Sequence, residues 1–248
     1  MLGRLLANLL RSLVSGKGAF VPDADRPQAA DPIAEYYFSN SARLINKWHH
    51  YFEIYHRHFE PFRGRSPVVV EVGVFHGGSL QMWQHYFGPG AHIVGIDVDA
   101  RCKQFEDEST TILIGDQADR RFLAEVRERV PHIDILIDDG GHTMTQQIAT
   151  FEELYPHIQP NGIYLCEDIH TSFMPEYGGG YRREGTFLEY GKALIDRLYA
   201  WYSRDHTVLT VDEFTRATYA LHFYDSVLVM EKRPIDPPQV SATGTPSF

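Results

Sequence analysis

The sequence predicts an α/β protein built on a doubly wound, mostly parallel sheet of seven strands. Five short runs of almost wholly apolar residues alternate with stretches of helical pattern. This alternation is typical of a parallel sheet that is covered by helices and whose strands are buried on both faces. Two further strand-like runs near the C-terminus have no helical pattern between them, which predicts an antiparallel hairpin at one sheet edge. We therefore expect a Rossmann-like domain with an N-terminal helical extension.

The predicted elements follow one another in a regular order. The parallel strands are residues 68–72, 93–98, 111–114, 133–137 and 162–166, and the hairpin strands are residues 207–211 and 220–231. An aromatic-rich helical pattern over residues 32–62 precedes the first strand and ends before Pro67. The helical stretches that separate the parallel strands are residues 79–87, 100–108, 119–130 and 145–155.

The first 31 residues are predicted to lie outside this domain. Residues 1–14 have leucines at helical spacing and two arginines among them, which predicts an amphipathic helix followed by a linker. The apolar run is too short for a membrane span and lacks the cleavage site of a signal peptide. Packing on its own domain or on a second subunit is favoured over a membrane surface, and a homodimer is expected. The main domain is residues 32–233, and residues 234–248 are a disordered tail.

The net charge and amino-acid composition argue against some classes of function. The net charge is −10 and no long basic run is present, which argues against a nucleic-acid partner, because phosphate binding needs clustered lysine and arginine. Apolar residues make up 43% of the chain, enough to build a substantial core. The two cysteines, Cys102 and Cys166, do not form a metal-type pair, and a reducing, cytoplasmic location is expected.

The loop after the first strand is a candidate ligand site. Ligands of a doubly wound sheet bind beyond the carboxyl ends of the strands, and here the strand ends in Glu71-Val72-Gly73. A dinucleotide site prefers G-x-G-x-x-G, whereas this loop has E-x-G-x-x-x-G-G, with Ser79 as a plausible helix cap. An acidic residue there tolerates the ammonium of an amino-acid ligand and disfavours a pyrophosphate. A tight turn that binds no ligand is the alternative.

Two acidic residues follow the second and third strands. Asp97 can accept hydrogen bonds from both hydroxyls of a ribose, in NAD as well as in S-adenosylmethionine. Asp116 can accept from an adenine amino group, although a helix cap is an equally good interpretation.

A cluster of acids follows the fourth and fifth strands. The sequences are Asp138-Asp139-Gly140-Gly141-His142 and Glu167-Asp168, and neighbouring strand ends would bring them into one crevice. Carboxylates at close range repel unless protons or a cation neutralise them, and Mg²⁺ favours oxygen ligands. His142 lies three residues after Asp139 and could act as a general base on a hydroxyl group. The alternative is that these acids cap helices and bind ribose without a metal.

These features resemble a known family. The chain is similar to the class I S-adenosylmethionine-dependent methyltransferases, and in particular to the metal-dependent sugar O-methyltransferases of natural-product and polysaccharide biosynthesis, which include macrolide-sugar methyltransferases and cephalosporin hydroxylase-like relatives. The segments that carry the resemblance read NKWHHYFEIYHRHF, VVVEVGVFHGGSLQMW, IVGIDVD, IDDGGHT and CEDIHTSFMPEYGGGY, within residues 32–232.

The resemblance implies a role for each matching residue. Asp139, Glu167 and Asp168 would bind Mg²⁺ or another divalent cation, and His142 would be the base. Residues 171–181 would form a mobile lid over the substrate, or a plain solvent loop. Asn46 stands where many relatives have aspartate, and His50 would line the active site. The residues implied to line S-adenosylmethionine are Glu71, Gly73, Ser79, Asp97, Asp116, Asp138, Lys47 and Tyr51.

The resemblance also implies a reaction. We expect methyl transfer from S-adenosylmethionine to a hydroxyl of a small-molecule sugar or glycoside, with a methylated mannoside as one candidate acceptor. Two alternatives remain open at this stage. One is a nicotinamide-dependent oxidoreductase on a related fold, against which the missing G-x-G-x-x-G argues. The other is a non-catalytic subunit that retains the fold, against which the intact acids argue.

Overall fold

The computed structural model of the protein describes residues 30–248. The predicted N-terminal helix and linker therefore lie almost wholly outside the described residues. Within the described part of the chain, no helix is both long enough and apolar enough to cross a membrane.

One seven-stranded sheet forms the centre of the molecule, as predicted. Its strands lie in the order β3-β2-β1-β4-β5-β7-β6. The first five strands in sequence pair in parallel, and β7 pairs antiparallel with both β5 and β6. The strands are β1 (Val68–Val72), β2 (His92–Asp97), β3 (Thr110–Ile114), β4 (Ile133–Asp138), β5 (Ile158–Cys166), β6 (Thr218–Phe223) and β7 (Leu228–Lys232).

Helices cover both faces of the sheet, and side chains that alternate along each strand divide the core in two. Val69 faces the helices of the N-terminal segment and α3, whereas Val70 faces α4 to α7. The helices are α1 (Pro32–Ser39), α2 (Tyr51–Phe59), α3 (Gly78–Phe87), α4 (Arg120–Arg129), α5 (Met144–Leu154), α6 (Phe187–Leu198) and α7 (Glu213–Ala217).

The C-terminal hairpin exists, but its predicted strands are wrong. Residues 207–211 form no strand; Asp205 instead accepts bonds from the backbone and the hydroxyl of Thr207, which closes a turn, and Val208 is exposed. Both β6 and β7 come from the run that was predicted as one strand. A turn divides this run, and Ser226 in the turn has a left-handed φ of 66°. A local apolar pattern does not show where a chain reverses.

The helices of the structure also differ from the predicted ones. The pattern over residues 32–62 forms two separate helices, α1 and α2, rather than one continuous segment. The stretch 100–108 forms only a short 3-10 helix, Ala100–Phe105. Helix α6, which packs through Phe187 and Leu194, was not predicted. Residues 234–248 have no regular secondary structure and are largely exposed.

Candidate active site

The loop between β1 and α3 passes very close to the loop after β4. Gly73 has a φ of 97°, and a Cβ atom built on it would lie 2.0 Å from the backbone oxygen of Asp139. Only glycine fits such a position, because a side chain would be both strained and in collision. Gly73 thus brings the ends of two adjacent strands together, where ligands of this fold bind.

Glu71 lies beneath this loop and is fully buried. Ser79 Oγ donates to Glu71 Oε2 over 2.7 Å, and Trp83 Nε1 donates to Glu71 Oε1 over 3.0 Å. Burial raises the pKa of Glu71 above its ordinary value, although nearby Lys47 opposes the shift. The prediction that Ser79 caps α3 is wrong: the cap residue is Gly77, and the Ser79 hydroxyl is used by Glu71.

Asp97 at the end of β2 and Asp116 after β3 both accept hydrogen bonds from backbone amides. Asp97 Oδ2 accepts from the amides of Val74 and Phe75, at 2.9 and 3.0 Å, and so fixes the start of the β1–α3 loop. Asp116 is exposed and accepts from the amide of Ala118 over 2.8 Å, while Asp119 caps α4. Contacts of Asp97 and Asp116 with a cofactor stay predictions.

Asp138 at the end of β4 is fully buried. Gln117 Nε2 donates to its Oδ1 over 3.0 Å, and the Gln117 side-chain oxygen accepts from the amide of Gly141 over 2.8 Å. Burial raises the pKa of Asp138 to about 6. Gln117 was not singled out from the sequence, since only the fold brings it beside the loop after β4. Asp138 therefore supports that loop from below.

Lys47 is buried among three carboxylates. Its Nζ lies 2.5 Å from Asp139 Oδ2, 2.8 Å from Glu167 Oε1 and 3.7 Å from Glu71 Oε1. Burial alone would lower the pKa of Lys47, but the facing carboxylates outweigh it and raise the pKa. In the structure its ammonium is the counter-charge of the acidic cluster, and the predicted contact of Lys47 with the cofactor stays a prediction.

Three predicted residues meet at the mouth of the crevice. His142 Nε2 lies 3.8 Å from Asp139 Oδ1 and 3.5 Å from Asp168 Oδ2. Potential ligand atoms of the three residues all lie within 4.8 Å of one another. His142 and Asp168 have left-handed φ angles of 56° and 54°, a strained backbone conformation that clusters at functional sites.

Tyr51 closes this group from the side. Its hydroxyl donates to Asp168 Oδ1 over 2.6 Å and contacts Ser226 Oγ at 2.8 Å. Ser226 also bonds to His170, so the turn between β6 and β7 belongs to the site. Ser226 could not be identified from the sequence, because its position depends on the hairpin being placed beside β5. His50 is exposed, and its Nε2 lies 3.2 Å from the carbonyl oxygen of Asp225; the prediction that it lines the active site stays a prediction.

The segment predicted as a lid is linked to the same group. Thr171 is buried, and its hydroxyl contacts the carbonyl oxygens of His142 and Asp168, at 3.0 and 2.8 Å. Farther along, Phe173 and Tyr181 are exposed at the rim. The start of the segment is therefore anchored, and its movement over a substrate stays a prediction.

The donor atoms suit a hard divalent cation. Asp139 and Asp168 each retain a partly exposed carboxylate that faces the crevice, and Mg²⁺ binds through one or two carboxylates and several waters. Glu167 is buried, and one of its oxygens accepts from Lys47. Asp139 and Asp168 are the more exposed carboxylates of the three, and the binding of a metal by all three residues stays a prediction.

Comparison with known proteins agrees with this geometry. A protein-family model described as a methyltransferase domain matches residues 70–169. Residues 70–169 form a methyltransferase domain. The resemblance to the methyltransferases is therefore confirmed, and the glycine-rich loop after β1 and the strands β2 to β5 lie within these residues.

Several curated relatives of this methyltransferase domain are named O-methyltransferases. The chain is 33% identical over 198 residues to the 8-demethyl-8-alpha-L-rhamnosyl tetracenomycin-C 2'-O-methyltransferase of Streptomyces olivaceus, covering 76% of this chain and 52% of the relative. It is 31% identical over 237 residues to the mycinamicin VI 2''-O-methyltransferase of Micromonospora griseorubida, covering 89% and 55%. The chain spans about half the length of these curated relatives.

A solved structure shows the same arrangement of the methyltransferase domain. The MycE methyltransferase from the mycinamycin biosynthetic pathway, in complex with Mg and SAH, superposes with a TM-score of 0.72 at 31% identity. The match covers 82% of this chain and 54% of that chain.

Proposed function

We propose that the protein transfers the methyl group of S-adenosylmethionine to a hydroxyl of a sugar in a small-molecule glycoside, with a divalent cation bound at the site. The observation that carries the proposal is the contact of His142 Nε2 with the carboxylates of Asp139 and Asp168 at the carboxyl ends of β4 and β5. The sugar O-methyltransferases among its relatives support the choice of acceptor.

In this proposal the cofactor occupies the crevice beside the loop of Gly73, where the backbone approaches most closely. Asp97 holds the loop through the amides of Val74 and Phe75, so the binding surface is formed before the ligand arrives. The crevice then brings the methyl carbon and the acceptor oxygen together, and much of the rate gain comes from their positioning.

His142 is proposed to take the proton of the acceptor hydroxyl at Nε2. The hydroxyl oxygen attacks the methyl carbon, and the bond between that carbon and the cofactor sulfur breaks with its electron pair on sulfur. The products are the methyl ether, S-adenosylhomocysteine and a protonated His142, whose charge faces two carboxylates. Those carboxylates stabilise the imidazolium at the moment it forms.

The divalent cation would be held by Asp139 and Asp168. When bound, Mg²⁺ would orient neighbouring acceptor oxygens and lower the pKa of the hydroxyl that reacts. Tyr51 fixes the orientation of Asp168, and Lys47 fixes that of Asp139, so both carboxylates are held by the start of α2 and the segment that precedes it.

A methyl-transfer screen tests the proposal. Purified protein is incubated with S-adenosylmethionine and a panel of rhamnosides, methylated mannosides, other glycosides and phenols, with Mg²⁺ or with EDTA, and S-adenosylhomocysteine is measured. Turnover of a glycoside that needs Mg²⁺ is expected. Turnover of phenols alone, full activity in EDTA, or no turnover of any acceptor would contradict it, and the last result would favour a non-catalytic subunit. The homodimer also stays a prediction.

A further inference from the structure

A second group of metal-ligating side chains lies away from the candidate active site. It consists of His58 near the end of α2, His222 on β6 and Glu231 on β7, whose potential ligand atoms all lie within 4.8 Å of one another. His58 follows Tyr51 by seven residues on α2, which places it roughly 10 Å farther along the helix.

We propose that His58, His222 and Glu231 form a binding site for a zinc-type divalent ion. Two imidazoles and one carboxylate are a common ligand set for zinc, with a fourth position left to water or an exogenous ligand. The site is independent of the methyl-transfer proposal, because it shares no residue with it.

The distances fit such an ion. Glu231 Oε1 lies 2.9 Å from His222 Nε2 and 3.4 Å from His58 Nδ1. Ligand atoms of a tetrahedral zinc with bonds of 2.0–2.1 Å are separated by about 3.3 Å. Only small side-chain movements are therefore needed to place an ion between these three atoms.

The surroundings of His58 support a ligand role. Its other ring nitrogen, Nε2, lies 2.9 Å from the hydroxyl of Tyr224, so a metal on Nδ1 leaves Nε2–H to donate to that hydroxyl. Histidines that bind metals nearly always have such a partner.

One side of the proposed zinc site is open to a cleft. His58 and Glu231 line a cleft of about 290 Å³ together with Arg57 and Arg65. Arg57 pairs with Glu53 over 3.0 Å, which offsets part of its charge near the site. A water or a small anion can therefore complete the coordination from the cleft.

The bound ion would connect α2 to the hairpin of β6 and β7. These elements also meet at the other end of α2, where Tyr51 contacts Ser226 in the hairpin turn. The ion is thus expected to stabilise the folded protein rather than take part in methyl transfer. At a hundredfold excess over Kd, the melting temperature should rise by about 5–10 °C.

Zinc titration of the full, tag-free chain tests the site. The protein is stripped with EDTA, dialysed into excess Mg²⁺ to occupy the carboxylate site, and titrated with Zn²⁺ by calorimetry; Co²⁺ serves as a spectroscopic probe. One ion per chain is expected, with the visible absorption of tetrahedral Co²⁺. Absence of stoichiometric binding, or an octahedral Co²⁺ spectrum, would overturn the proposal.

Variants assign the ion to these residues. His222→Ala should weaken zinc affinity by more than about 100-fold, and Tyr224→Phe, which keeps all three ligands, by about 10–100-fold. His92→Ala is the matched control, since His92 lies on β2 and its ring is hydrogen-bonded to Thr111. Asp168→Asn should also leave zinc binding unchanged. Zinc affinity that is unaffected in His222→Ala, or lost in Asp168→Asn, would refute the assignment.

Discussion

The ammonium of Lys47 and the carboxylate of Glu167 form a buried ion pair, with Nζ 2.8 Å from Oε1 and both side chains closed to solvent. This pair joins the segment before α2 to the end of β5. The Lys47 ammonium also partly neutralises the negative charge of Asp139, Glu167 and Glu71, so that these carboxylates can lie close together.

Replacement of Lys47 by methionine should therefore destabilise the protein strongly. Removal of one partner from a buried ion pair leaves uncompensated charge and typically costs about 3–5 kcal/mol. Urea unfolding followed by circular dichroism measures the change. Lys192→Met is the control, since Lys192 pairs with Glu189 on the surface and should change the free energy of unfolding by less than about 1 kcal/mol. Equal effects of the two variants would contradict the assigned role.

His142→Ala should lower kcat by about 10²–10⁴, the usual contribution of a general base. The affinity for S-adenosylhomocysteine should hardly change, because the proposed role concerns the acceptor proton. Steady-state kinetics and calorimetry separate the two effects. His206→Ala, at an exposed position, is the matched control. An unchanged kcat in His142→Ala would exclude this residue as the base.

Tyr51→Phe should raise the Mg²⁺ concentration that activity requires. The variant removes the hydroxyl that holds Asp168 and Ser226, and loss of such a supporting hydrogen bond typically lowers metal affinity about 10–100-fold. The measurement is the Mg²⁺ concentration that gives half-maximal activity. Tyr86→Phe removes a hydroxyl that contacts His56 elsewhere and serves as the control. Identical Mg²⁺ curves for Tyr51→Phe and the unmodified protein would refute the prediction.

Gly73→Ala should impair both folding and cofactor binding. The added methyl group would collide with the backbone of Asp139, and the alanine would have to adopt an unfavourable φ. Gly185→Ala separates the collision from the backbone strain, because Gly185 has a φ of 81° but nothing within 4 Å of the added atom. Thermal unfolding and titration with S-adenosylhomocysteine should show a larger loss for Gly73→Ala. Similar losses would mean that the close approach is unimportant.

The pH dependence of stability should change in Glu71→Gln. Because burial raises the pKa of Glu71 above its ordinary value of 4.5, the folded state holds this proton more tightly than the unfolded state. The associated stability is present below pH 4.5 and is lost as pH rises through the raised pKa of the folded state. Glutamine does not titrate, so its stability relative to the unmodified protein should increase with pH. Urea unfolding from pH 4.5 to pH 8 measures this, and a difference that falls with pH would contradict it.

Much of the sheet and part of the site could be predicted from the sequence. The strand before Gly73 and the acids after β4 and β5 could be predicted from the sequence. The carboxyl ends of parallel strands lie at one edge of the sheet, so residues that follow these strands are expected to lie close together. The partner of Lys47 could not be predicted, since α2 and the segment before it meet the sheet through tertiary contacts alone. Ser226 could not be predicted for the same reason, and the hydrogen bonds of Asp97 to two loop amides were not evident from the sequence.

The hydrogen bond between Tyr51 and Ser226 links residues that are 175 positions apart in the chain. The ribosome delivers the chain from its N-terminus at about 5–20 residues per second. The parallel strands β1 to β5 are translated before the hairpin, and until the hairpin follows, Tyr51 lacks this partner. Translation past β6 is required before the contact around Asp168 is complete, and a nascent chain released before that point lacks it.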